Sequence, residues 1–194
     1  MINWSFFNKH NLPEFFENHF MEVFITYVFA LRLMSNTSTP PFITIASMLI
    51  LFYYSYFIHI LTHKIPKEYN PHVLFHHSKH ANDFWINLII ETIINVLFFV
   101  VFYYLKVLFK LKFIPTILIV YYGIIYVSIH DINYSIFHLG KNHHSHHLDP
   151  TQKCNFGPDT LDHFFGSNCN SNYENLMHAL PNILGAFLIA ECIK

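Results

Sequence analysis

Of the sixteen histidines in this 194-residue chain, all but His10, His19, His163 and His178 crowd into short clusters between His59 and His147. A neutral imidazole is a metal ligand that suits Fe, Zn, Cu or Ni. His59-Ile-Leu-Thr-His63 sets two imidazoles at i and i+4, on one face of a helix with Cβ atoms about 5–6 Å apart. That suits two ligands to one metal, or one ligand to each of two adjacent metals. Taken alone, the pair is also a common chance pattern or an interfacial polar cap. The second cluster is His76-His77-Ser78-Lys79-His80, with His72 four residues ahead of it. The third, His143 to His147, contains HxxHH as His143, His146 and His147. No HExxH occurs, so a zincin protease is not indicated, and no ExxH pair marks a soluble di-iron bundle. A four-coordinate zinc site takes at most four protein ligands. Eight or more histidines meeting in one place exceed that need, and match two metal ions held mostly by imidazole.

The elements that must bring these clusters together are membrane helices. No Asp, Glu, Lys or Arg lies between Arg32 and Lys64, and Phe42 to Ile58 is almost wholly apolar. Seventeen helical residues cover about 26 Å, close to the ~30 Å hydrocarbon core of a bilayer. Trp85 to Leu105 predicts a second crossing, interrupted only by Glu91, and Phe113 to Ile129 a third. Lys106, Lys110 and Lys112 mark the turn of this hairpin. Phe20 to Met34, broken by Glu22 and Arg32, either crosses obliquely or lies in the interface. Ile183 to Ala190 is too short to cross and reads as interfacial or packed on the core. His59 and His63 end the first long helix, the second cluster precedes the second, and His130 and His138 follow the third. Because the hairpin returns the chain to its starting side, every cluster meets on one membrane face. Glu91 inside a membrane helix is a functional candidate by default, although a helix–helix hydrogen bond is the favoured role.

Composition supports the membrane reading. The chain is 53% hydrophobic and 12% charged, against about 25% charged in an ordinary globular protein. A formal net charge of −1 argues against a nucleic-acid surface. Cys154, Cys169 and Cys192 show no CxxC spacing and an odd count, which predicts free thiols in a reducing compartment rather than a disulfide framework. The N-terminus, with acidic residues and no basic stretch leading into an apolar run, does not read as a cleaved signal peptide. Lys64, Lys67, Lys79, Lys141 and Lys153 on the histidine side outnumber Arg32, Lys106, Lys110 and Lys112 opposite, which places the histidine face in the cytosol.

The order HxxxH, a second histidine box, an apolar hairpin and HxxHH resembles the fatty acid hydroxylase and sterol desaturase superfamily. The last box continues as HHSHHLDPTQKCNFGPDTLDHFFGS, similar to that family's closing pattern of HxxHH, Asn-aromatic-Gly, Asp and Phe-Gly-Ser. Here these are Asn155-Phe156-Gly157, Asp162 and Phe165-Gly166-Ser167. The similarity covers Phe52 to Asn168, about 60% of the chain. Two features depart from the pattern. Aligning the second box on His76 puts Lys79 at a histidine position, and aligning on His77 ends the box at Ala81. His130 and His138 stand eight apart rather than as HxxxH, with Tyr134 at one of the usual ligand positions.

The resemblance implies an all-α multi-pass bundle of three to four transmembrane helices with a histidine-rich cytosolic-face cap. Residues 1–40 would form an N-terminal interfacial or first membrane segment, 41–175 a di-metal catalytic core, and 176–194 a C-terminal interfacial tail. The implied metal ligands are His59, His63, His76, His77, His80, His130, His138, His143, His146 and His147. Asn155 and Asp162 would support them, Asp162 either by orienting a ligand imidazole or by capping the helix that follows. The implied activity is O2-dependent hydroxylation or desaturation of a fatty acyl, ceramide or sterol lipid by two iron ions, with no catalytic side chain beyond the metal centre. An apolar slot between the helices would receive the lipid. The chain has neither a GxGxxG nor a flavin or haem motif, so electrons would come from cytochrome b5 or a ferredoxin-type donor with its reductase. In a eukaryotic cell the location implied is the endoplasmic reticulum membrane. A histidine-rich membrane metal-binding or transport protein without oxygenase activity is the reading outside this class.

Overall fold

The computed structural model describes residues 2, 4–7, 11–76, 84–148 and 154–194. Among these the protein is helical throughout, with no strand. The helices are α1 (Asn11–Asn18), α2 (Phe20–Met34), α3 (Pro41–Thr62), α4 (Phe84–Leu108), α5 (Thr116–Ser128), α6 (Lys141–Leu148), α7 (Asp159–Phe165) and α8 (Leu180–Ile193). Two stretches are wound as π-helix, His72–His76 before α4 and Ile129–Ile136 continuing α5.

Local chemistry sets most boundaries. Pro40 precedes α3 and Pro41 opens it, where the missing N–H costs nothing. Pro115 and Pro158 stand just before α5 and α7 in extended conformation. Helix α7 stops at Gly166, whose φ of +70° is the left-handed C-terminal cap that glycine adopts without strain.

Among the described residues, four stretches are long and apolar enough to cross a membrane: Pro41–Thr62, Phe84–Leu108, Thr116–Ile136 and Leu176–Ile193. The first three crossings are those read from the apolar runs, the second of which carries Glu91. The fourth differs from the short tail expected at Ile183 to Ala190. A 3-10 turn at Leu176–Ala179 runs directly into α8 and adds length that His178 and Pro181 conceal in the hydropathy pattern. The expected packing on the core holds, since α8 lies against α5 and α2. Helix α2, at 15 residues, falls short of those four and packs between α3 and α8.

Helix α5 occupies the centre, touching α2, α3, α4 and α8. Leu118, Ile119 and Tyr121 of α5 are buried with Leu51 of α3, Phe99 of α4, and Ile183 and Ala186 of α8. Small residues let the helices approach: a Cβ on Gly123 would sit 3.1 Å from the Phe99 ring. By contrast α4 turns Ile89, Ile93, Val100 and Val107 outward. An apolar stripe of that length has a bilayer as its natural solvent.

Candidate metal centre

The end of α3, the π-turn before α4, the π-segment after α5, and α6 bring seven imidazoles into one buried cluster. The regular winding of α3 stacks His59 and His63, with Nε2 atoms 3.1 Å apart. His72, on the π-turn, places its Nε2 3.0 Å from that of His59 and 3.3 Å from that of His63. From α6, His146 Nε2 comes within 3.0 Å of His63 Nε2. These four form one group. In the second, His130 Nε2 on the π-segment lies 3.0 Å from His143 Nε2 on α6. The His147 ring packs 4.5 Å from that of His143. His59 sits between the groups, because ligand nitrogens of His59, His130 and His143 all fall within 4.8 Å of one another, as do those of His59, His63 and His72. All of these rings but the half-buried His63 are buried, His59 and His146 completely.

Hydrogen bonding alone does not account for this arrangement. A neutral imidazole Nε2 carries either one hydrogen or one lone pair. The triangle formed by His59, His63 and His72 therefore leaves lone pairs or hydrogens facing one another on at least one edge. A shared cation removes the conflict. Metal–imidazole bonds of about 2.0–2.1 Å set the donor nitrogens about 2.9 Å apart at right angles and about 3.4 Å apart in a tetrahedron. The observed separations of 3.0–3.3 Å lie inside that interval. The donor set thus fits a divalent transition ion.

The second group also shows how its tautomers are fixed. His143 Nδ1 donates to the Asn155 carbonyl at 2.9 Å, and His130 Nδ1 to the Tyr126 carbonyl at 3.3 Å. Each bond places the proton on Nδ1 and presents the Nε2 lone pair, the arrangement seen behind metal-bound histidines. Asn155 in turn is tied on every side. Its N–H donates to Ser167 O, its Oδ1 accepts from the Cys169 N–H, and its Nδ2 donates to Asn142 O.

Asp162 supports the same loop one step further back. Its carboxylate accepts from the N–H groups of Phe156 at 3.1 Å and Gly157 at 2.6 Å, and from Ser167 Oγ at 2.7 Å. Neither expected role is the one observed: its bonds go to the loop rather than to an imidazole, and Pro158 stands at the N-cap of α7. Burial pushes its carboxyl up to about 8, against the pull of these three donors. Gly157, at φ +70°, lies flat on His143, where a Cβ would come within 2.9 Å of Nδ1. The expectation of free thiols is corrected for two of the three cysteines. Cys154 and Cys169, their Cα atoms 5.5 Å apart, form a disulfide across the base of this loop. Cys192 is free and exposed.

Other histidines stand elsewhere. His138 is exposed, at φ 53°, and its ring faces His144 at 4.9 Å rather than entering the cluster. Tyr134 is the buried residue one π-turn after His130, its ring 5.5 Å from His130 and 4.7 Å from His143. His77 and His80 lie outside the described residues, and only the backbone of His76 is described. His19 binds Asp159, Glu174 and Thr160, His163 stacks on Tyr173, and His178 meets Asn133. Burial raises the Asp159 carboxyl, but the bond and charge of His19, the Glu174 N–H and the charge of His163 together outweigh it and hold the group below its ordinary range. Glu91 is buried and accepts from Ser135 Oγ, a helix–helix bond of the kind favoured for it. The member of the cluster outside the expected ligand set is His72. Its one signal in the sequence is its place four residues before His76.

A cavity of about 200 Å³ opens beside the second group. Val23, Met48, Phe52 and Ile125 supply apolar wall, and His130, Tyr134 and His143 line it as well. Comparison with family models, with curated proteins and with solved structures gives no match. Fold and site together define a class: a multi-pass helical membrane protein with a buried imidazole cluster able to hold metal.

Proposed function

We propose that this chain is a membrane oxygenase that hydroxylates or desaturates a lipid at a histidine-ligated pair of iron ions. The observation that carries the reading is the geometry of the cluster. Two groups of imidazole nitrogens have His59 within 4.8 Å in common, and the second stands beside an apolar cavity. The resemblance of the three boxes and the NFG/FGS tail supports iron over the other metals that imidazole suits. Iron bound there would supply O2 activation and the oxidising power to attack an unactivated C–H bond.

The chain's own residues do the rest. His63, His72 and His146 hold one ion, His130, His143 and His147 the other, and His59 stands within reach of both. The carbonyls of Asn155 and Tyr126 keep Nδ1 protonated so that Nε2 remains a ligand. The cavity aligns an alkyl segment alongside His130 and His143 and excludes water. Electrons come from a separate cytochrome b5 or ferredoxin-type donor. The histidine face lies in the cytosol, of the endoplasmic reticulum in a eukaryotic cell. The lysine distribution supports the cytosolic side and the resemblance the endoplasmic reticulum, while the Cys154–Cys169 disulfide on the same face counts against a reducing compartment.

The test is expression in a lipid-profiled host with metal analysis of the purified protein. The expected result is bound iron and a new lipid either one oxygen heavier or two hydrogens lighter. Both should be lost when His143, His146 and His147 are replaced by Ala. Full metal retention in that variant would sink the reading. A second reading, metal binding or transport, draws on one observation. Glu91 with Ser135, and Thr92 with Asp131, place polar pairs between α4 and the π-segment. Intramembrane polar groups of this kind mark ion pathways. Metal uptake into vesicles without any lipid product would favour it.

A further inference from the structure

The cavity beside the second histidine group has an acidic wall that the alkyl chain does not explain. Glu22, in the first turn of α2, lines it together with Asp159, and no lysine or arginine does. Asp159 is fully engaged: it accepts from Asn142 Nδ2 and the Glu174 N–H, and pairs with His19. Tyr122, also in the wall, bonds Ser55, and Thr160 bonds His19. Glu22 differs from all of these. Its Oε2 is buried, and among the described residues nothing hydrogen-bonds to it. A buried acceptor left without a donor loses its hydration with nothing in return, a cost of about 1–3 kcal/mol and more when charged. Such a group in a cavity wall is normally satisfied by whatever fills the cavity.

We propose that Glu22 is the specificity-determining acceptor for a lipid that carries a neutral hydrogen-bond donor, a hydroxyl or an amide N–H, on its alkyl chain. This deepens the oxygenase reading and rests on it for what happens to the lipid, though not for binding. The apolar wall takes the chain and Glu22 takes the donor. The size fits a segment rather than a whole lipid: about 200 Å³ is the room of roughly seven waters at ~30 Å³ each. The acidic wall also sets an exclusion. Burial pushes the Glu22 carboxyl up to about 8, so above that pH a free carboxylate or phosphate end would meet ionised Glu22 beside Asp159, and acidic lipids bind poorly. A pure hydrocarbon leaves Oε2 unsatisfied.

The probes are 1-hexadecanol, N-methylhexadecanamide, hexadecanoate and hexadecane. Each displaces a fluorescent alkyl reporter from the full-length protein in neutral detergent micelles at about pH 9, where hexadecanoate and Glu22 are both ionised. The alcohol and the amide should compete about tenfold more tightly than the alkane and the acid. Tight alcohol with weak amide assigns the hydroxyl as donor, and the reverse assigns the amide. Glu22→Leu should erase the preference for the donor over the alkane. Glu22→Gln keeps an acceptor of the same shape, so it should retain part of that preference and relax the exclusion of hexadecanoate. Equal affinity for alcohol, amide and alkane in the wild type overturns the proposal, as does an undiminished preference in both variants. The oxygenase reading fails separately. A donor preference with no oxidised lipid sinks that reading and leaves this one standing, whereas an oxidised lipid without the preference does the opposite.

Discussion

His59 and His63 are held by the winding of α3, and nothing more is needed to stack them. His130 and His143 are held quite differently. One rides on a π-wound segment, and the other on a short helix whose imidazole is pinned from behind by the loop at Asn155 to Gly157. The first group takes His59 and His63 from a long membrane helix packed into the core, and His146 from the same short helix as His143. The second sits on elements of eight residues each, so its precision comes from cross-chain bonds at Asn155 and Asp162 and from the Cys154–Cys169 disulfide. Two groups with matched nitrogen spacings thus have different failure modes. Damage to the loop should weaken the second more than the first, which draws only His146 from α6.

The largest expected effect tests whether the groups are separate and whether His59 joins them. Metal per chain, measured by inductively coupled plasma mass spectrometry, should stand near two in the wild type. It should fall to about one in His72→Ala, which belongs to the first group alone, and to about one in His143→Ala, which belongs to the second. His59→Ala should lose most of both, because its nitrogens lie within reach of both sets. An occupancy for His59→Ala equal to that of His72→Ala would show that His59 serves one group only.

A smaller effect is expected from the loop. Cys154 and Cys169 are 15 residues apart, and closing a loop of that length stabilises a protein by about 3 kcal/mol in the chain-entropy account. Cys154→Ser should therefore melt at a lower temperature than the wild type. It should also release metal from the second group about tenfold more readily, as disturbing the partners behind a ligand usually does. First-group occupancy, which depends on α6 only through His146, should change less. Equal weakening of both groups would mean that the loop supports the whole cap rather than His143.

The same contrast explains what could be read in advance. Long apolar runs with at most one ionisable residue mark α3, α4 and α5 because a bilayer tolerates few ionised groups, and the hairpin follows from Lys106, Lys110 and Lys112. The i, i+4 pair at His59 and His63 is legible because helix periodicity alone makes it. His72 is harder to see, since its arrival depends on a π-turn that no local spacing announces. His138 is drawn away from the cluster by a left-handed backbone after the π-segment. The disulfide is invisible for a similar reason. Its cysteines carry no motif and meet only because α7 turns the chain back on Asn155. Asp162 could be singled out by resemblance, but not its partners, which are backbone N–H groups brought to it by folding.

The smallest effect isolates that carboxyl. Burial pushes Asp162 up to about 8 in the folded protein, above its ordinary value of about 3.9. The folded state then holds its proton where the unfolded chain has released it. Stability contributed by this group is therefore full below about pH 4, declines as pH rises, and levels off above about pH 8. Asp162→Asn cannot ionise and keeps one carbonyl acceptor for the loop, so its melting temperature should fall less than the wild type's between pH 5 and 8. The comparison is made on metal-stripped protein in micelles, which removes the pH dependence of histidine ligation. Parallel slopes would mean that the donors at Phe156, Gly157 and Ser167 keep the carboxylate ionised throughout. The belt behind His143 would then be held by a buried charge, and Asp162→Asn would cost more stability than the loop bond alone.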